Sequence, residues 1–181
     1  MRMITDVGEG LFIAASTIHD NIDSGEMITR DTLNAAMELA FGASDASGAW
    51  SQRQSFDALE AAMSLWLTSS LPDPEPATEL ASLSAKVALF PTHTVRSEEQ
   101  YLLQQFSTPA DIAWLTSHLA VLSADDIVLE PSAGTGMLAA FAKRAETSLQ
   151  LNEFDPTRAS LLRHIFPGCT VSEHDGARIA S

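Results

Sequence analysis

The stretch of this chain best suited to chemistry is Glu130-Pro131-Ser132-Ala133-Gly134-Thr135-Gly136. It follows the apolar run Ile127-Val128-Leu129 and precedes a helical pattern, so it reads as a strand-to-helix turn at the carboxyl edge of a sheet, where open α/β folds bind ligands. Gly134 and Gly136 lack a Cβ, which lets the backbone turn tightly and a ligand lie against the first amides of the helix. A glycine pair by itself serves the geometry of many such turns. Two carboxylates add to it. Glu153, nineteen positions after Gly134, ends a second strand, where an acid can accept both hydroxyl hydrogens of a ribose. Asp175, in Glu173-His174-Asp175-Gly176, follows a third strand and can accept from an adenine amino group. Loop, acid and acid at three successive strand ends form a nucleoside-binding layout. Gly134-Thr135-Gly136-Met137-Leu138-Ala139 also reads as the GxGxxA of dinucleotide binders, but their turn passes directly from strand to glycine. Here Glu130 and Pro131 intervene. A carboxylate at that point repels pyrophosphate and attracts a cation, and S-adenosyl-L-methionine carries both an ammonium and a sulfonium.

The elements that must hold these residues are legible from apolar spacing. From 124 onward, short apolar runs alternate with amphipathic helices, the pattern of a parallel sheet with crossover helices. Strands are expected at 127–129, 149–151 and from 170, with helices over 136–146 and 156–166, giving βαβαβ, half of a doubly wound sheet. Residues 1–70 read as an all-α domain, with Leu33, Ala36, Met37 and Ala40 at helical spacing and no alternating run. Asp31 is a candidate cap for a helix ending at Phe41-Gly42, and Ser51 with Gln54 has capping-box spacing ahead of the stripe Phe56, Leu59, Ala62, Met63 and Trp66. Three alternating prolines, Pro72, Pro74 and Pro76, predict a linker over 71–80. A helical segment over 81–122 comes next, with helices at 80–90 and 98–105, and the α/β part fills 123–181.

Composition excludes several classes. The 181 residues are 45% apolar and 19% charged, enough for a buried core and unlike a disordered tract. Acidic residues outnumber basic ones 24 to 10, a net charge of −14, which argues against this piece gripping a phosphate backbone. The single cysteine, Cys169, excludes an internal disulfide framework and suits a reducing cytosol. With no basic leader and only short, interrupted apolar runs, a cytoplasmic protein without membrane attachment is expected.

The turn and its companions resemble the motifs of class I S-adenosylmethionine-dependent methyltransferases, in the form common among adenine-N6 DNA methylases. Glu130 to Gly136 looks like their motif I, Leu151-Asn152-Glu153-Phe154-Asp155-Pro156 is similar to the ribose-binding motif II, and His174-Asp175-Gly176 to motif III. Upstream, Gln104-Gln105-Phe106-Ser107-Thr108-Pro109 resembles motif X, a loop that in this family closes over the methionine end of the cofactor. There Thr108 and the amides near Ser107 can bind a carboxylate, Phe106 can cover the ligand, and Pro109 starts a helix carrying Ile112, Leu115 and Leu119. From about Thr29 onward the chain resembles the N-terminal part of large bacterial methylase/helicase fusions related to strawberry notch proteins. The resemblance implies a Rossmann-like methyltransferase half behind an all-α region. It also implies S-adenosyl-L-methionine as cofactor, held by Phe106, Ser107, Thr108, Pro109, Glu130, Pro131, Ser132, Ala133, Gly134, Gly136, Glu153, Phe154, Asp175 and Gly176.

One departure limits the resemblance. Those methylases act through an Asn or Asp followed by Pro-Pro and an aromatic, whose carbonyl oxygens accept from the flipped adenine. No such tetrapeptide occurs here. The sequence ends six residues after Asp175, and half a doubly wound sheet would keep an exposed edge strand. We therefore expect a fragment that binds cofactor, has no catalytic residue of its own and contacts DNA only through regions outside it. Residues 1–70 carry 3 basic and 10 acidic side chains, an excess of −7, and none of the four segments 1–70, 71–80, 81–122 and 123–181 sums positive.

Other constellations are weaker. His19, His93, His118, His164 and His174 lack i, i+4 metal spacing, so no metal is expected. Asp20-Asn21-Ile22-Asp23-Ser24-Gly25 puts Ile22 at a calcium-ligand position and reads as a helix-ending turn. Ser132 and Asp155 have no matching histidine for a hydrolase triad. Cys169 reads as a small core residue. Trp50 could stack a base, whereas Trp66 and Trp114 read as packing residues. Arg158, Arg163 and Lys143-Arg144 read as solvated helix faces. Two rival functions stay open, a nicotinamide or flavin dinucleotide enzyme and a noncatalytic interaction domain.

Overall fold

The computed structural model describes residues 6–91 and 107–178. The helix expected over 98–105, together with His93 and Phe106, lies outside the described residues. Within them the chain is mostly helical, with one small parallel sheet. Its elements are α1 (Val7–Ser24), α2 (Arg30–Phe41), α3 (Gln52–Ser69), α4 (Pro76–Val87), α5 (Ala110–Ala120), β1 (Ile127–Glu130), α6 (Met137–Arg144), β2 (Ser148–Asn152), α7 (Pro156–Ile165) and β3 (Thr170–Ser172).

Local chemistry explains most boundaries. Asp6 caps α1 by accepting from the Gly8 amide at 3.0 Å. The α2 cap is Thr29 and not Asp31. The Thr29 hydroxyl accepts from the Thr32 amide while Thr32 reaches back to the Thr29 amide, and Asp31 sits in the first turn, where the helix dipole favours an acid. Gly42 ends α2 in the left-handed region, as expected. Ser51 and Gln54 form the predicted reciprocal cap of α3, with the Ser51 amide donating to Gln54 Oε1 at 2.8 Å. Helix α4 starts at Pro76, four residues before the expected 80, because proline is well placed in the first turn, where its missing N–H costs nothing.

The strands run in the order β1-β2-β3, all parallel, with Ile127 opposite Ser148 and Gln150 opposite Thr170. Helices α6 and α7 supply the crossovers. Helix α3 packs on α6 and α1 packs on α7, so one apolar core runs from Leu11, Ile18 and Met63 through Phe141 and Leu161 to Leu151. At Gly8 the backbone of α1 lies so close to α7 that a Cβ would fall 2.8 Å from the Leu161 amide nitrogen.

One sequence expectation fails in this region, and one helix packs on its small residues. Helix α5 buries Ala110, Ala113 and Trp114, while Ile112, Leu115 and Leu119 face outward, Leu119 at 71% exposure. The small alanines let α5 approach, and Trp114 fixes it by donating its indole N–H to Glu79 at 2.8 Å. Arg144 does not line a solvated face. Its side chain is 8% exposed, with the guanidinium 2.5 Å from Glu79. Trp66 is partly buried with the Lys86 ammonium 5.4 Å from its ring centre, and Trp50 is buried, donating to the Ala43 carbonyl at 2.7 Å. Among the described residues no helix is long and apolar enough to cross a membrane.

Candidate functional site

The three strand ends are joined by one side chain. Asn152, buried at the end of β2, donates from Nδ2 to the Pro131 carbonyl at 3.0 Å and to the His174 carbonyl at 2.9 Å. Its Oδ1 accepts from the His174 amide and the Ser172 hydroxyl. Every hydrogen-bonding capacity of the Asn152 amide is thus committed to holding the loops after β1 and β3 beside β2. Gly176 completes the closure, since a Cβ there would lie 3.2 Å from the Pro131 carbonyl oxygen.

The two glycines of the turn differ. Gly134 has φ 57° and open space where a Cβ would be, so it is the position a ligand can approach. Gly136, φ 90°, faces inward, and a Cβ would meet the Phe166 ring at 2.5 Å. It serves packing. Glu153 is buried beneath the turn, accepting from the Gly134 amide at 2.8 Å and from the Asp155 amide at 2.9 Å. Both carboxylate oxygens thereby order the loop, and a ribose would have to share them through their remaining lone pairs.

A small hollow of about 40 Å³ lies above the turn. Glu130, Ser132, Ala133 and Gly134 border it on one side, with Ser107 and Thr108 on the other. The two segments singled out in the sequence, far apart along the chain, therefore meet. The volume admits a water or an ammonium group; a nucleoside would have to extend past it over the open side of Gly134. Burial pushes the Glu130 carboxyl above its ordinary value, and the Ser132 amide, donating at 3.2 Å, pulls it part of the way back. Pro109 caps α5. Phe154 is exposed beside Glu153. Asp175 does not border the hollow; it stands half-exposed on the β3 loop with Arg178 at 3.4 Å. Among the described residues there is no cluster of ligands fit for a metal, and Cys169 is a partly buried free thiol.

The residues missed in the sequence come from the helices behind. Glu60 of α3 accepts at a single oxygen, Oε2, from Ser107 Oγ at 2.5 Å and Thr135 Oγ1 at 3.0 Å. Burial and the neighbouring Asp57 raise its pKa, and its hydrogen bonds and Arg158 work the other way. Arg158, expected on a solvated face, is buried and lines the hollow, its guanidinium 2.5 Å from Asp57. Burial works against its charge, but Asp57, Glu60 and Glu153 more than offset this and hold its pKa above the ordinary value. Arg163, one and a half turns on, is the half-exposed residue expected, paired with Glu173 at 2.7 Å. A signal for Arg158 was present: a base in the first turn of a helix opposes the dipole and calls for a carboxylate partner. For Asp57 and Glu60 the hint was weaker, two acids bordering an apolar stripe.

No family model, curated protein or solved structure matches the chain.

Proposed function

We propose that this chain is the cofactor-binding portion of an S-adenosylmethionine-dependent methyltransferase, acting on DNA adenine N6 within a larger methylase/helicase polypeptide. The observation that carries the reading is the meeting of Thr108, Glu130 and the open Gly134 around one hollow at the carboxyl end of β1. The strand order β1-β2-β3 with α6 and α7 as crossovers supports a Rossmann-like half in which β1 would be central. In that role Glu130 attracts the ammonium and sulfonium, Thr108 and its neighbouring amides receive the carboxylate, and the nucleoside lies over Gly134 toward Glu153, Phe154 and Asp175. The tetrapeptide that would orient adenine is not in this sequence, so methyl transfer and DNA contacts are assigned to parts of the polypeptide outside residues 1–181. A reducing cytosol fits the free thiol of Cys169.

Titration calorimetry with S-adenosylmethionine, S-adenosylhomocysteine and NADH tests the reading. The two adenosyl compounds should bind and NADH should not. Glu130→Gln should weaken S-adenosylmethionine more than S-adenosylhomocysteine, which lacks the sulfonium charge. Because the Glu130 pKa is raised, cation binding should release a proton and tighten as pH rises through that pKa, read as buffer-dependent enthalpy. Binding of NADH alone would sink the proposal.

A second reading, a noncatalytic interaction module, draws on one observation: Glu153 already spends both oxygens on backbone amides. It requires that neither adenosyl compound bind.

A further inference from the structure

The geometry points to Glu60 as a positioning residue of this site: from α3 it clamps the 107–109 segment onto the glycine turn, so the helical region controls closure over the hollow. The ligand arm of this inference rests on the methyltransferase reading; the clamp itself does not.

Three pieces of chain converge on one carboxylate oxygen. Ser107 is exposed and immediately precedes Thr108 and Pro109, the residues that face the hollow and cap α5. Thr135 is buried within the turn. Glu60 stands between them on a helix fixed by the buried neighbours Leu59, Ala61 and Met63. A hydroxyl donating to a carboxylate makes a stronger bond than one donating to a neutral acceptor. Two such bonds to the same oxygen couple the segments, so that loosening either hydroxyl exposes the carboxylate to water and weakens the other. Helix α5 packs on α6 beyond Pro109, and ahead of Pro109 the hydrogen bond from Ser107 to Glu60 is a polar tie that holds this segment toward the turn.

The test measures hydrogen exchange of the Thr108 amide and the amides of 110–113 in the full chain, beside affinity for S-adenosylhomocysteine. Ser107→Ala removes one exposed hydroxyl and leaves the fold intact. It should speed exchange there at least fivefold and weaken the nucleoside by a similar factor, with the melting temperature unchanged. Glu60→Ala should do the same, Glu60→Gln less because its amide oxygen still accepts, and Glu60→Ala with Ser107→Ala no more than the larger single effect. Exchange unaltered in Ser107→Ala, or fully additive effects in the double variant, would overturn the clamp. If the unaltered chain ignores the nucleoside while Ser107→Ala still accelerates exchange, the clamp stands and the methyl-donor reading is the one that falls.

Discussion

The two sides of β1 are built differently. Inward, through β2, the sheet meets α6 and α7, and behind them α1 and α3 close the core with the buried Asp57–Arg158 pair. Outward, β1 has no strand beside it among the described residues, and its Ile127 and Leu129 are 74% and 56% exposed; elsewhere, α5 presents Ile112, Leu115 and Leu119 to solvent. The inner side spends its side chains on itself. The outer side keeps apolar surface uncovered, which a monomeric protein seldom does without a use for it. Stability and unfinished surface are therefore separated across a single four-residue strand.

The largest effects should fall on the inner side. Replacing Arg158 with Met takes away the 2.5 Å partner of the buried Asp57 carboxylate and leaves it Arg53 at 4.0 Å, so the loss should fall toward the lower end of the about 3–5 kcal/mol that breaking a buried pair costs. Asp57→Asn with Arg158→Met should cost less than the two singly, as read from urea midpoints. A loss no larger than that of an exposed ion pair would mean that the helical region rests only loosely on the α/β part.

Gly136→Ala should follow, at about 2–4 kcal/mol, from the left-handed φ and the collision with Phe166. Gly134→Ala pays only the conformational part, about 1–2 kcal/mol, and should show its effect in ligand affinity instead. Equal stability losses at the two positions would erase the distinction between the packed glycine and the open one.

A smaller effect carries a sign. Glu60 has a folded pKa above the ordinary 4.5, so its stabilising contribution is complete below about pH 4.5 and is lost as pH rises through the folded value. Glu60→Gln has no such loss, so its stability relative to the unaltered chain should rise with pH. The groups facing Glu60 are Asp57 on its own helix, Arg158 on α7 and the hydroxyls of Ser107 and Thr135; Arg158 keeps its charge throughout, leaving Glu60 as the group that titrates above its ordinary 4.5. Denaturation of both proteins across that range checks the slope.

The smallest change is predicted outside. Ile127→Lys should leave stability within about 0.5 kcal/mol. A loss several times larger would show that β1 is covered in solution.

Local signals carried the sequence reading a long way. The reciprocal cap at Ser51 and Gln54, the three parallel strands and the turn between β1 and α6 depend on neighbours in sequence, and they fold as their patterns predict. What escaped depends on contacts between distant segments. Nothing local to α5 tells that α4 and α6 take up its alanine side and leave Ile112, Leu115 and Leu119 outside. Arg144 and Arg158 look like surface charges until Glu79 and Asp57 arrive from other helices. Of the site, the turn and its partner segment at Ser107 and Thr108 were visible as motifs; Asn152 and Glu60, which hold those parts in place, do their work across strands and helices where no periodicity marks them.

The bare rim of β1 also bears on how the isolated chain behaves at high concentration. A row of peptide groups with no strand partner among the described residues, beside two aliphatic side chains, is a template for a neighbouring copy. At neutral pH the charge of −14 keeps copies apart. Close to the isoelectric point, about 4.5, that repulsion disappears, and light scattering should rise there for the unaltered chain and less for Ile127→Lys. Acidity that looked unsuited to nucleic acid thus doubles as colloidal protection for a strand edge that has no partner among the described residues.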